Sequence, residues 1–415
     1  MTVGIAIQIV LQAVYFIVVT RTMGARSYGA FVSVSAMASI VAAFSGWGGD
    51  QLLIRTVSHA RDQFPRALGQ ALIYFSISAP VLTVAAALVF PFLADSSIPW
   101  TAILLIVLSE VIFARANYLA VNCFQAFERG RDMASLGILL YALRAIAALV
   151  WSNTTRDPSP LSWAWFYMGA SLLGGAVAML MVFRRLDRPV WRVRWNEWKE
   201  GGFFALQMGS FVGFRDIDKP LVAALSGLSQ AGLYAAAFRI SDVLAVPVRA
   251  LIYSTYVRFF QHGARGTRGS FTFALNLLPI GAALGVIAGI GIAAASIFAV
   301  LILGPNYHGV GPVLLLLMPL PLLYALYYIG ADALITSGHI GYRTLIQLIL
   351  PAFDISLCAV LVPRYGAAGA AAAATCTHTA LVAVLWASLY FLARDEAATA
   401  ANAQATATIR SPARR

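Results

Sequence analysis

Long apolar segments follow one another along almost the whole chain and are separated by short polar connections. Most segments are close to the ~20 residues that an α-helix needs to cross about 30 Å of hydrocarbon. The pattern therefore predicts an all-α polytopic membrane protein with twelve transmembrane helices. We place these helices at about residues 2–20, 29–48, 69–93, 100–123, 135–152, 161–183, 203–228, 231–257, 271–303, 312–335, 343–362 and 367–392.

The composition agrees with this interpretation. Hydrophobic residues make up 60% of the chain and charged residues 11%, and the mean hydropathy is +0.79. An average soluble domain is about a quarter charged. The first apolar run is also predicted to be a membrane span, because a signal peptide would have a basic start, a shorter core and a small-residue cleavage site.

The basic residues predict which side of the membrane each connection faces. Of the 29 Lys and Arg, 19 lie in even-numbered loops and the C-terminal tail, counting Arg343 with the loop that it borders, 4 lie in odd-numbered loops and 6 within spans. Because basic loops stay in the cytoplasm, both termini are predicted to be cytoplasmic. The net charge of +12 reflects this bias, so we expect membrane lipids as partners and no nucleic acid. The predicted cytoplasmic connections are residues 50–68, 125–134, 184–200, 258–270 and 336–342.

The chain lacks the sequence signatures of an enzyme. Its three cysteines lie far apart in or beside apolar spans, which does not favour a disulfide framework. Its five histidines make no metal-ligand spacing with cysteine or acidic residues. The sequence shows no phosphate-binding glycine loop, nucleophile elbow or paired-carboxylate motif, and the predicted outside connections are short. We therefore expect a transporter without metal or cofactor.

Two parts of the sequence repeat each other at about half the chain length. Residues 21–31 read RTMGARSYGAF, and residues 223–238 read AALSGLSQAGLYAAAF. Parallel repeats of six helices are a known transporter architecture. At one constant offset of 203 residues, Gly24, Gly29 and Phe31 fall on Gly227, Gly232 and Tyr234.

The repeat predicts two six-helix lobes, residues 1–183 and 203–394, joined by a cytoplasmic amphipathic linker at 184–202. In that linker Trp191, Trp195 and Trp198 share one helical face, which predicts an interfacial helix with its arginines toward anionic lipid. The alternative is a simple basic loop with chance tryptophans. Residues 395–415 are rich in Ala and Thr and are predicted to be a disordered cytoplasmic tail.

These motifs resemble a known family. The GARSYGAF loop, the following GWGGDQLLIRTVS and the later DIDKPLVAALSGLSQAGLYAAAFRISDVL are similar to segments of lipid-linked oligosaccharide (O-antigen) flippases, polysaccharide biosynthesis proteins of the MOP superfamily. One departure is the first helix, where related flippases often carry a basic residue and this chain has only Gln8 and Gln12 as polar residues.

The resemblance implies a V-shaped pair of lobes around a central cavity in a bacterial inner membrane. It also implies the substrate, an undecaprenyl-pyrophosphate-linked sugar unit that moves from the inner to the outer leaflet for O-antigen, capsule or exopolysaccharide assembly. A polymerase and other polysaccharide-assembly proteins are possible partners on the same ground.

Charged residues within the predicted spans mark the candidate site. Charges at bilayer depth are costly and usually face a bundle interior or a water-filled cavity. Residues 215–219 bring four charges into an apolar span, and Pro220 and Pro247 each predict a kink. Because Arg and Lys bind phosphate oxygens, we predict pyrophosphate binding by Arg144, Arg215, Lys219 and Arg239. Orientation of these groups, or coupling to a cation, is predicted for Asp218, Asp242 and Asp354.

Several of these charges have a structural alternative. Arg215 with Asp218, and Arg239 with Asp242, have the spacing of ion pairs within one helix. Three further residues could simply reach the inner interface, namely Arg115, Arg249 and Asp332. Arg144 has no acidic residue within a helical turn, so we expect its partner across the cavity or on a ligand.

Two other functions compete with a flippase. A multidrug or small-molecule exporter of the same superfamily would favour an acidic cavity for cationic drugs, and the basic excess argues against it. A membrane-embedded polysaccharide polymerase or ligase would need a large external loop with catalytic arginines, which the hydropathy pattern does not show.

Overall fold

The chain is almost entirely helical in the computed structural model, which describes residues 2–192, 194–263, 266–337 and 340–410. A π-helical turn, Ser109–Ala114, joins the fourth and fifth of the α-helices in these ranges. The helices are α1 (Thr2–Ala42), α2 (Gly49–His59), α3 (Phe64–Leu93), α4 (Trp100–Leu108), α5 (Arg115–Ala126), α6 (Gly130–Thr154), α7 (Pro160–Arg185), α8 (Trp198–Asp216), α9 (Asp218–Ser226), α10 (Leu228–Leu244), α11 (Val246–Gly263), α12 (Thr267–Leu303), α13 (Val310–Leu317), α14 (Leu320–Thr336) and α15 (Ile340–Arg410).

Eight helical segments of the described ranges are long and apolar enough to cross a membrane, which confirms a multi-pass membrane protein. Two of the long segments, Ala6–Ala42 and Ile349–Arg394, are each interrupted by a kink. Each contains a glycine with a positive φ, Gly24 at 72° and Gly366 at 57°, where two helices meet at a kink. The kinks lie between the first and second and between the last two predicted spans. The count of twelve spans stays a prediction.

The predicted proline kinks are confirmed. The span predicted at 203–228 is broken between α8 and α9 at Ile217, and the span predicted at 231–257 is broken between α10 and α11 at Ala245. Pro220 lies three residues beyond the break at Ile217, and Pro247 lies two residues beyond the break at Ala245. Proline has no N–H to donate to the carbonyl four residues earlier, so the helical ladder is interrupted there.

The first compact unit of the chain contains residues up to Ala235 together with Val300–His308. Part of its core is formed by α2, α3, α5 and α7, where Phe64, Leu68, Phe124 and Val182 are fully buried. These residues recur on one face of each helix, so burial of a shared apolar surface holds the bundle together.

The second compact unit contains Ala236–Ala299 and the residues from Gly309 onward. Here α12 packs closely on α14 through Gly281 and Gly285, and Gly289, four residues further on, contacts Met318 just before α14. A Cβ on Gly285 would lie 2.5 Å from the Cα of Leu322, so only a glycine lets the two backbones approach so closely. The predicted division into lobes at 184–202 stays a prediction, since compactness alone does not define a repeat.

The linker differs from the predicted interfacial helix. Residues 187–192 and 194 are not helical, and only a short 3-10 turn, Trp195–Glu197, precedes α8. Trp191 and Trp195 are exposed, whereas Trp198 stacks on Trp47 with ring centroids 4.9 Å apart. The helix prediction was wrong because Trp198 packs on Trp47 and Tyr74 within the first unit and does not share an exposed stripe with the other two tryptophans.

The C-terminal segment also differs from its prediction. The backbone of α15 continues as a helix to Arg410, through the first part of the segment predicted to be a disordered tail. Residues 411–415 of that tail lie outside the described residues.

Candidate functional site

The break between α8 and α9 gathers four charged residues into one cluster. The Nζ of Lys219 lies 3.0 Å from Asp216 Oδ1, 3.2 Å from Asp218 Oδ1 and 3.0 Å from the carbonyl oxygen of Arg215. On the other side of the break, Arg215 Nη2 lies 3.0 Å from Asp216 Oδ2. We call Arg215, Asp216, Asp218 and Lys219 the break cluster.

Asp218 is held from two directions. Its Oδ1 accepts a hydrogen bond from its neighbour's backbone N–H at 2.8 Å, and its Oδ2 accepts one from the hydroxyl of Tyr234 on α10. Tyr234 is one of the repeated residues of the sequence and is fully buried. The repeat motif therefore serves to fix a carboxylate of the predicted site. In place of the expected pairing with Asp218, the ion pair of Arg215 is with Asp216.

The two cations of the break cluster differ in access. The Arg215 side chain is 57% exposed, whereas that of Lys219 is 10% exposed. Two carboxylates balance the two basic groups within the cluster. Arg215 is therefore the accessible cation of the break cluster, and Lys219 is its buried one.

Arg144 lies elsewhere in the first unit, on α6. Its Nη2 is 3.4 Å from Glu110 Oε1 and 3.2 Å from the Ser171 hydroxyl, and its guanidinium lies 4.4 Å from the ring centre of Tyr167. Glu110 belongs to the π-helical turn, an element frequent at functional sites. The expected partner across a cavity or on a ligand is thus replaced by Glu110. The buried Nε of Arg144 has no hydrogen-bond partner among the described residues.

In the second unit, Asp242 pairs with Arg249 on α11 instead of Arg239 on its own helix. Arg249 donates to both a carboxylate oxygen and, at 2.7 Å, the backbone carbonyl of Asp242. The break at Ala245 turns Arg249 back toward Asp242, so both the Arg239–Asp242 pairing and the purely interfacial Arg249 were wrong. Arg239 is half-buried and makes no hydrogen bond or ion pair with the described part of the chain.

The remaining predicted residue, Asp354, is buried on α15. Its Oδ1 accepts a hydrogen bond from the Thr377 hydroxyl at 2.9 Å, across the kink at Gly366. The structure therefore brings Arg215, Lys219 and Asp218 together. Arg144 lies apart from them in the same unit, and Arg239, Asp242 and Asp354 belong to the second unit.

One buried network was missed at the level of sequence. Arg115 donates to Asp50 Oδ1 at 2.9 Å and to the Ser45 carbonyl at 2.8 Å, and Asn122 donates to Asp50 Oδ2 at 2.8 Å. Arg115 is 8% exposed, so the prediction that it reaches the interface was wrong. Asp332, expected there as well, is 4% exposed. The sequence signal that could have identified Asp50 is its place in the GWGGDQ motif.

The described residues offer no site for a metal ion. Within them, no group of three His, Cys, Asp or Glu side chains lies close enough to hold one. The charged clusters described above consist of arginine, lysine and carboxylate side chains.

The family comes from comparison with known proteins. A model of the family described as "Polysaccharide biosynthesis protein" matches residues 1–252. The chain belongs to this family. The match extends over α1 to α10 and thus over the break cluster, Arg144 and Arg239. A search of curated proteins found no sequence match to this chain.

Solved structures with the same fold are MOP superfamily transporters and flippases. An inward-facing multidrug resistance MATE family transporter is 12% identical, with a TM-score of 0.73, and covers 95% of this chain and 98% of its own. The lipid II flippase MurJ in an inward closed conformation is 10% identical, with a TM-score of 0.72, and covers 94% of this chain and 87% of its own. A MOP superfamily transporter from Pyrococcus furiosus is 12% identical, with a TM-score of 0.55 and coverages of 93% and 95%. At these identities the likeness is one of fold.

Proposed function

We propose that this family member is a flippase for undecaprenyl-pyrophosphate-linked oligosaccharide repeat units. It would move them from the inner to the outer leaflet of a bacterial inner membrane, for O-antigen, capsule or exopolysaccharide assembly. The observation that carries the proposal is the polysaccharide biosynthesis family match over residues 1–252, in a chain with the fold of a lipid II flippase.

The charged groups support this substrate class. A pyrophosphate carries several acceptor oxygens, and arginine forks bind such oxygens in pairs. Arg215 is exposed beside its carboxylate partner, and Arg239 is half-buried with no partner among the described residues. We assign primary head-group binding to Arg215 and Arg239. Lys219 and Arg144, which are paired with carboxylates, are assigned a secondary role in the same binding.

The acidic residues have a second role in this proposal. Asp218 orients Lys219, Asp242 orients Arg249, and buried Asp354 is a candidate for a coupling cation. Alternating access of the two lobes would carry the head group across, while the lipid tail stays in the bilayer. Each negative charge moved outward from an inside-negative cell gains roughly 2.3 kcal/mol per 100 mV, which favours this direction.

A cell lacking the gene provides the test. Complementation with R215Q or R239Q should lower export of the polymer about tenfold or more, because each change removes a charged hydrogen bond to phosphate. Lipid-linked repeat units should accumulate on the inner leaflet, as measured by their accessibility to a membrane-impermeant label. R156Q, in an exposed connection, is the matched control. Normal export from both R215Q and R239Q would contradict the assignment.

A second candidate function is export of a small molecule. The fold is equally close to a multidrug resistance MATE transporter, with a TM-score of 0.73. The deletion strain distinguishes the two functions. Increased drug sensitivity with normal polymer export would favour an exporter, and lost export with unchanged sensitivity would favour the flippase.

A further inference from the structure

A polar cleft of about 200 Å³ lies in the first unit, away from the break cluster. One wall is the start of α3 with the short turn before it, and the other is the linker segment of residues 190–192 and 194–197, which we call the strap. Three arginines line the cleft, namely Arg66, Arg192 and Arg194. The positive-inside pattern predicts that this end of the unit faces the cytoplasm.

The strap is docked on α3 by its backbone. The N–H of Val190 donates to the Pro65 carbonyl at 2.7 Å. A Cβ on Gly69 would lie 2.0 Å from the Val190 carbonyl oxygen, so this position admits only glycine. The close backbone approach fixes the strap against α3 and with it both walls of the cleft.

Side chains inside the cleft hold Arg194 in place. Its Nη1 lies 3.2 Å from Glu197 Oε1, and its Nη2 donates to Gln63 Oε1 at 3.2 Å. Gln70, itself buried, donates to the other oxygen of Glu197 at 3.0 Å. The single carboxylate of the cleft is therefore already engaged by protein donors.

The positive charges of Arg66 and Arg192 are not balanced by a nearby carboxylate of the described residues. Both side chains are exposed, and neither makes a hydrogen bond or ion pair with the described part of the chain. After the pairing of Arg194 with Glu197, these two positive charges are the net charge of the cleft. Guanidinium groups converging from two segments match the paired oxygens of a phosphate.

The surroundings place the cleft near lipid head groups. Trp191 and Trp195 of the strap are 64% and 65% exposed. Tryptophan is enriched at the membrane–water interface, and basic clusters just cytoplasmic of a span attract anionic lipids. The cleft thus combines an interfacial anchor with two free cations.

We propose that this cleft binds the phosphate or pyrophosphate group of a lipid in the cytoplasmic leaflet. The proposal deepens the flippase function if the lipid is the substrate, for which the cleft would be a first docking position. It describes a regulatory lipid site if the lipid is a resident anionic phospholipid. The chemistry at Arg66 and Arg192 is the same in both cases.

Binding to the purified full chain in neutral-lipid nanodiscs tests the proposal. The probes are farnesyl pyrophosphate, short-chain phosphatidylglycerol and inorganic pyrophosphate. The double variant R66Q/R192Q should bind its preferred lipid probe about tenfold more weakly or worse, since two charged hydrogen bonds are lost. The control is R184Q/R188Q, which also removes two positive charges but at positions outside the cleft. It should bind the probes like the wild type.

The outcomes separate the two lipid sources. A preference for farnesyl pyrophosphate assigns the cleft to the substrate, and a preference for phosphatidylglycerol assigns it to a resident lipid. Unchanged affinity of R66Q/R192Q for every probe, or equal losses in R184Q/R188Q, would overturn the site. Export that fails in R215Q but persists in R66Q/R192Q, together with unchanged probe affinity, would remove the cleft and leave the proposed function standing.

Discussion

Gly29 and Gly232 pack backbone against backbone where α1 meets α10. A Cβ on Gly29 would lie 1.8 Å from the carbonyl oxygen of Leu228, and one on Gly232 would lie 1.9 Å from that of Ala25. Gly232 and Leu228 lie 203 residues after Gly29 and Ala25, so the two contacts are equivalent in the two copies of the repeat and the packing is reciprocal. The kink glycines of the two copies also match, with φ and ψ of 72° and 172° at Gly24 and 84° and 167° at Gly227.

Replacing Gly29 or Gly232 by alanine should destabilise the protein by roughly 1–3 kcal/mol, because the added methyl group overlaps a backbone oxygen. Gly169 on α7 is the matched control, since no atom lies within 4 Å of its Cβ position. Thermal unfolding in detergent measures the effect. A melting temperature for G29A equal to that of G169A would contradict this close packing.

Arg215 and Lys219 should respond differently to the same substitution. R215Q should reduce export and leave thermal stability close to that of the wild type, because the side chain is 57% exposed. K219Q should reduce both, because it leaves Asp216 and Asp218 side by side without their shared cation. Export and melting temperature are measured on the same membrane preparations. Equal stability of the two variants would argue against the buried position of Lys219.

The Asp50–Arg115 pair should be structural. D50N should cost roughly 3–5 kcal/mol, since it leaves a buried guanidinium without its counter-charge. The double variant D50N/R115M removes both charges and should recover much of that loss. Unfolding free energies of the two single variants and the double variant form a cycle that measures the coupling. Additive losses would show that the two side chains do not interact.

Arg249 and Arg239 offer a similar contrast in the second unit. R249Q removes the partner of Asp242 and should lower the melting temperature, whereas R239Q breaks no hydrogen bond or ion pair with the described residues and should leave it unchanged. R239Q should instead lose export. If R239Q proves the less stable of the two, Arg239 has a structural role and its assignment to the head group fails.

Tyr234 connects the repeat to the break cluster. Y234F removes the hydroxyl that donates to Asp218. The change should destabilise the protein by about 1–3 kcal/mol, because a buried carboxylate loses a hydrogen bond. Y307F, whose buried hydroxyl has no hydrogen-bond partner among the described residues, is the control for loss of a tyrosine hydroxyl. Melting temperatures of the two variants in detergent are compared, and an equal effect would leave Asp218 without a special dependence on Tyr234.

Much of the fold was predictable because its causes are local. Apolar runs of membrane length predict helices wherever they occur. The missing N–H of Pro220 and Pro247 predicts a helix break at a defined carbonyl. The repeated glycines Gly24 and Gly227 adopt matching φ and ψ angles in the structure, which the sequence alone did not specify. The prediction of a helix in the linker was wrong because Trp198 stacks on Trp47, and helical periodicity gives no information about such a tertiary partner.

The sequence by itself determined the membrane class of this protein, its helical fold and the helix breaks near Pro220 and Pro247. These follow from hydropathy, spacing and backbone chemistry along the chain. Only the tertiary structure decided which charges pair. Arg144 is joined to Glu110, and Arg115 is joined to Asp50, 34 and 65 residues away along the chain. A charge pair depends on where helices bring side chains together in space, and a single sequence carries no measure of that distance.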